Sequence, residues 1–216
     1  MSANLKRVQV NNMSVKLLSI VAFVLTRALP SQALEPTSAT SGTINGHEWV
    51  DLGLSVKWAT CNIGASSPEG YGNYYAWGET STKSSYDKEN CATYEKEIGD
   101  IAGTSRDVAR VKWGSPWRMP TKAEGEELLN KCTWTWTTRN GVSGYKVMGP
   151  NGNSIFLPAA GDLVGTSLVS AGDWGGYWSS TPGKAGGSYS LGFYSGGHGT
   201  IWHFRYDGHM VRPVTE

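Results

Sequence analysis

The chain predicts an α+β fold, helices followed by an antiparallel sheet, on three observations. Pro120 precedes Thr121 and Glu124 follows three residues later, the capping-box arrangement that closes two orphan N–H donors at a helix start. Beyond that helix the period changes to two. Trp134 and Trp136 fall on one face, and Thr133, Thr135 and Thr137 on the other. Asn140-Gly141 and Asn151-Gly152 then supply the residues that tight hairpin turns need.

Taken in order, residues 1–33 read as a signal peptide. Lys6, Arg7 and Lys16 give a positive start, Leu17 to Leu25 an apolar run, and Ser31-Gln32-Ala33 a cleavage site. The run is shorter than the roughly 20 residues that span a bilayer. Export to the periplasm, the cell surface or the medium is expected, with no membrane insertion after leader removal. Residues 34–44, rich in Ser, Thr, Ala and Pro, read as a linker, and 45–216 as the folded domain. Within it, Glu48–Leu54 and Val56–Thr60 read as short strands parted by Gly53. Gly64 to Asp100 reads as long loops with one strand at Tyr74–Trp77. A first helix is expected over Ser105–Lys112, capped by Ser105, with Asp107 favouring its positive end. The second runs from the capping box to about Lys131, and Gly125 inside it costs roughly 1 kcal/mol relative to Ala. Strands at Tyr145–Met148 and Ser154–Leu157 complete a meander. From Phe156 to Val214, apolar anchors alternate with Gly, Ser, His, Tyr and Asp, and turns are expected at Gly161, Gly165, Gly175-Gly176 and Gly196-Gly197.

Composition excludes several functions. Charged residues make up 17% of the 216 and the net charge is +1, so no nucleic-acid footprint is present. Three cysteines, Cys61, Cys91 and Cys132, allow one disulfide within the chain, and their spacing assigns none. The long, loop-rich central segment favours Cys91 with Cys132.

The segment Trp117-Arg118-Met119-Pro120-Thr121 resembles a hallmark of the Fibrobacter succinogenes major paralogous domain family, as does Val211-Arg212-Pro213-Val214. Val50 to Leu54, Trp58 to Asn62, Tyr75 to Thr80 and Trp178 to Thr181 match further motifs, so the resemblance covers about Gly46 to Val214. It implies a C-type lectin fold related to the formylglycine-generating enzymes, with two helices, a twisted antiparallel sheet, and first and last strands paired. Gly125 departs from the apolar or aromatic residue usual in the family, which implies a loosely packed helix. Some domains of this fold are variable proteins of diversity-generating retroelements, which rewrite adenines near the 3′ end of a gene. Val169, Ser170, Tyr194, Ile201, His203, Phe204, Tyr206 and Asp207 lie within the set such editing reaches. Trp174, Trp178 and Trp202 lie outside it and read as framework. An ordinary, undiversified member of the family fits the residues equally.

No catalytic residue is expected. The formylglycine-generating relatives use late cysteines, and none follows Cys132; Gly-x-Ser-x-Gly and His-Glu-x-x-His are also absent. His198, His203 and His209, with Asp207, are chemically adequate metal ligands. In backbone read as irregular they are taken as chance neighbours, so neither a metal nor any other cofactor is expected. Binding of a protein or glycan is the remaining reading, because aromatic rings among small polar residues make adaptable contact surfaces. The expected ligand-binding residues are Val169, Ser170, Trp174, Tyr194, His198, Ile201, His203, Phe204, Tyr206 and Asp207, converging on one face, with Trp117, Trp178 and Trp202 as core or near-core. A structural or adhesive cell-surface subunit is the alternative.

Overall fold

The computed structural model describes residues 39–184 and 186–216. The expected signal peptide and the first part of the expected linker fall outside them. The end of the expected linker is a strand. Ser41–Ile44 (β1) pairs with His47–Val50 (β2) through Asn45-Gly46, whose φ angles of 51° and 81° suit a tight hairpin. Lys57–Ala59 (β3) follows β2, and Val214–Thr215 (β12) closes the sheet in the order β1-β2-β3-β12. The last strand thus pairs with the third, not the first.

Two helices follow a long loop region. Val108–Trp113 (α1) is capped by Asp107 rather than Ser105. Asp107 accepts hydrogen bonds from the N–H groups of Ala109, Arg110, Gly103 and Met119 at 2.7–3.1 Å, so one buried carboxylate gathers four backbone donors. Burial nevertheless raises its pKa, because the four bonds offset only part of the desolvation. Lys122–Lys131 (α2) opens with the expected box: Glu124 N–H donates to Thr121 Oγ1 and Thr121 N–H to Glu124 Oε2. Arg118 locks it by a two-pronged bond to Glu124 at 2.8 and 2.6 Å.

Thr133–Arg139 (β4), Val142–Met148 (β5) and Ser154–Pro158 (β6) form the predicted meander. Asp162–Val164 (β7) and Ser167–Val169 (β8) make a small hairpin. Trp174–Pro182 (β9), Gly187–Tyr194 (β10) and Gly197–Phe204 (β11) form a third antiparallel sheet in the order β11-β10-β9. With two α-helices and antiparallel sheets among the described residues, the fold is α+β. Gly175-Gly176 lies inside β9 and makes no turn. A Cβ at Gly175 would strike the Phe193 ring, so glycine there permits close packing.

One core cluster joins Trp58, Leu128, Tyr145 and Phe193; a second joins Trp77, Trp117, Trp178 and Val211. Trp117 and Trp178 are buried as expected. Trp202 is not: it is 39% exposed, lying over Gly183 and Gly187, which offer no side chain to cover it. All three cysteines are free. Cys132 packs on the first core cluster while Cys91 belongs to a separate one with Ala76 and Tyr86, so the favoured Cys91–Cys132 bond is not made. Burial pushes the Cys132 thiol up to about 11, keeping it protonated near neutrality.

Candidate functional site

In β11 successive side chains point to opposite faces, and this alternation sorts the expected binding residues. Ile201 and His203 share one face with Trp174 of β9. Ile201 and the Trp174 ring meet over Gly192, whose missing side chain leaves them room. The His203 and Trp174 rings lie 6.1 Å apart, and Asp207, just past the strand, brings Oδ2 to 3.8 Å from His203 Nδ1. Tyr194 pairs across strands with Trp174 and is 54% exposed. Val169 and Ser170 reach the same region because the chain turns sharply there: the Asp173 and Trp174 N–H groups both donate to Ser170 O. Seven expected residues therefore adjoin one another.

Three do not join them. His198 points to the opposite face of β11, where its ring stacks on Trp134 at 4.5 Å and meets the edge of Tyr145. Burial lowers its pKa. Phe204 and Tyr206 belong to a second aromatic row, stacked on each other at 4.9 Å and flanked by Trp202 and Tyr94. The expectation of a single patch is corrected to two. The cause is regularity: residues 197–204 form a strand rather than a loop, so His198 and Phe204 have the parity opposite to Ile201 and His203.

Sequence reasoning missed the hairpin β7–β8. Val164, Leu168 and Val169 all stand exposed on it. The signal was available, since Gly165-Thr166 separates two short segments, Asp162-Leu163-Val164 and Ser167-Leu168-Val169, each carrying a pair of apolar residues. Six of the eight exposed large apolar side chains among the described residues, Val164, Leu168, Val169, Tyr194, Trp202 and Phe204, fall between residues 164 and 204. Asp162, at the root of this hairpin, was also missed; its Oδ1 lies 2.7 Å from His209 Nδ1.

The other motif residues are fasteners beneath this surface. Arg212 is 1% exposed, and its guanidinium donates to Asn62 Oδ1 and to the carbonyls of Ala59, Thr60 and Phe156. Burial lowers its pKa, opposed by nearby Tyr177. Arg205 is held alike, donating to the carbonyls of Gly187, Thr93 and Lys96 with its cation over Trp77 at 4.3 Å. No helix among the described residues is long and apolar enough to cross a membrane. Comparisons with family models, curated proteins and solved structures gave no match.

Proposed function

We propose that the chain is an exported recognition protein that binds a protein or glycan through the hairpin β7–β8 and the adjoining face of β9–β11. The observation that carries this reading is the exposure of three apolar side chains on one short hairpin, Val164, Leu168 and Val169, close to the exposed Tyr194 beside Trp174. Trp202 and Phe204 belong to the second row. Isolated exposed apolar residues are unremarkable, whereas contiguous ones mark interaction sites. Loops and hairpins on a rigid scaffold are also where binding residues concentrate. The scaffold is read as a C-type lectin fold of the Fibrobacter succinogenes major paralogous domain type. Burial of Trp117, Trp178 and Arg212, which belong to the motifs of that resemblance, supports it. No enzymatic step is part of this reading.

The test is a binding screen of the labelled chain on glycan and surface-protein arrays, repeated with Leu168→Ser and Tyr194→Ala. Binding is expected for the parent chain and at least a tenfold loss in each variant, with melting temperatures nearly unchanged. Binding that survives both substitutions removes this face from the reading. Retroelement diversification is tested separately, by sequencing the DNA beside the gene. A template copy differing from residues 162–207 at adenines is expected on that reading, and its absence leaves an undiversified receptor.

A further inference from the structure

We propose that His203, Asp207 and His209 form a binding site for one divalent transition-metal ion of the zinc class. One ring nitrogen of each histidine and a carboxylate oxygen of Asp207 lie within 4.8 Å of one another. The two imidazoles are 4.5 Å apart and steeply inclined, at 70°, so their nitrogens approach without the rings stacking. Two imidazoles and a carboxylate are a donor set suited to zinc and its first-row neighbours, and unsuited to calcium, which takes oxygens.

The stronger argument is what these side chains lack. His209 is 0% exposed, yet neither of its ring nitrogens makes a hydrogen bond. His203 Nε2 is buried and unbonded as well. Asp162 Oδ1 approaches His209 Nδ1 to 2.7 Å, close enough for an ion pair but off the direction of the ring N–H, and it too has no hydrogen bond. Four orphaned polar atoms in one place are unusual, because each unpaired buried group is destabilising and native interiors hold few. A cation held by one nitrogen of each histidine would satisfy His203 Nε2 and His209 Nε2, and a small turn of the His209 ring would pair the other two atoms with each other. His209 would turn one nitrogen to the metal and leave Nδ1–H for Asp162, the carboxylate–histidine–metal relay that fixes a ligand's tautomer.

The surroundings are shaped for this. A Cβ at Gly176 would collide with His209 Nδ1 and Asp162 Oδ1, so only glycine admits both groups. The Trp178 ring closes the floor, edge-on to His203 and His209. Tetrahedral zinc with bonds of about 2.0–2.1 Å needs donors about 3.3–3.4 Å apart. The present spread of up to 4.8 Å therefore closes by up to about 1.4 Å, through rotation of the partly exposed His203 and Asp207 side chains. The site stands whether or not the adjoining face binds a partner.

The experiment strips the full chain with a chelator, then titrates it with zinc chloride by calorimetry and with cobalt chloride by visible absorption. One equivalent of zinc is expected, with cobalt bands of a low-coordinate nitrogen–oxygen site. At a hundredfold excess over Kd, the melting temperature should rise by roughly 5–10 °C. His209→Ala, being fully buried, risks misfolding, so the deciding variants are His203→Ala and Asp207→Asn. Each should weaken zinc binding at least tenfold while the metal-free melting temperature changes by only a few degrees. The double variant His47→Ala/His198→Ala, which removes the other two histidines, should bind like the parent. No saturable single equivalent, binding indifferent to His203→Ala and Asp207→Asn, or binding lost in the His47/His198 variant would each overturn the proposal.

Discussion

Arg212 carries its charge into the core without a carboxylate to meet it; three carbonyls and one amide oxygen do that work. Replacing it with Met should cost about 3–5 kcal/mol, since the acceptors it serves stay buried and lose their donors. Chemical denaturation would show this as a lower midpoint at unchanged slope. The motif containing Arg212 was legible in the sequence, but its role was not, because Ala59 lies 153 positions away. The tryptophans divide in a similar way. Trp178→Ala should cost about 3–5 kcal/mol as a core cavity, whereas Trp202→Ala should cost about 1 kcal/mol, as for an ordinary substitution. Melting curves of the two variants that coincide would contradict the placement. Nothing in the residues around Trp202 signals its exposure; that depends on Gly183 and Gly187 lying beneath it.

At the scale of the element, helix α2 was readable because its signals are local. Thr121, Glu124 and their mutual bonds lie within one turn, as do the Asn-Gly turns of the meander. The same turn chemistry at Asn45-Gly46 announces β1–β2, but the Ser- and Thr-rich composition before it reads as linker. Gly125 weakens α2 without a packing reason: a Cβ there would have nothing within 4 Å, and the residue borders a cavity of about 20 Å³. Gly125→Ala should therefore stabilise the protein by about 0.5–1 kcal/mol, raising the melting temperature by roughly 1–4 °C. The helix start should also respond to acid. Burial pushes the Glu124 carboxyl up, but its bonds to Arg118 and Thr121 outweigh this and hold it below the 4.5 of an unperturbed glutamate. The stabilisation is thus complete above about pH 4.5 and is lost as pH falls through the lower folded-state value. Melting temperature should decline in that acidic range, and Glu124→Gln should flatten the decline.

For the whole molecule, the sequence supports the α+β class and the locally signalled elements, while the candidate site divides. Val169, Ser170, Trp174, Tyr194, Ile201, His203 and Asp207 adjoin one another, but strand parity sends His198 elsewhere and Phe204 and Tyr206 to a second row. Reading residues 197–204 as a strand would have separated them in advance, because alternation is a property of the sequence once the element is known. What no local pattern contains is the closure of the first sheet by β12. Val214 pairs with Trp58, so that sheet waits for a segment made long after it. In kinetic terms this is a high-contact-order topology, with folding on the order of milliseconds to seconds. Throughout that interval β3 presents an open edge beside an uncovered indole, and open edges recruit other chains. Refolding yield should then depend on dilution: crowded chains pair with one another before each finds its own last strand.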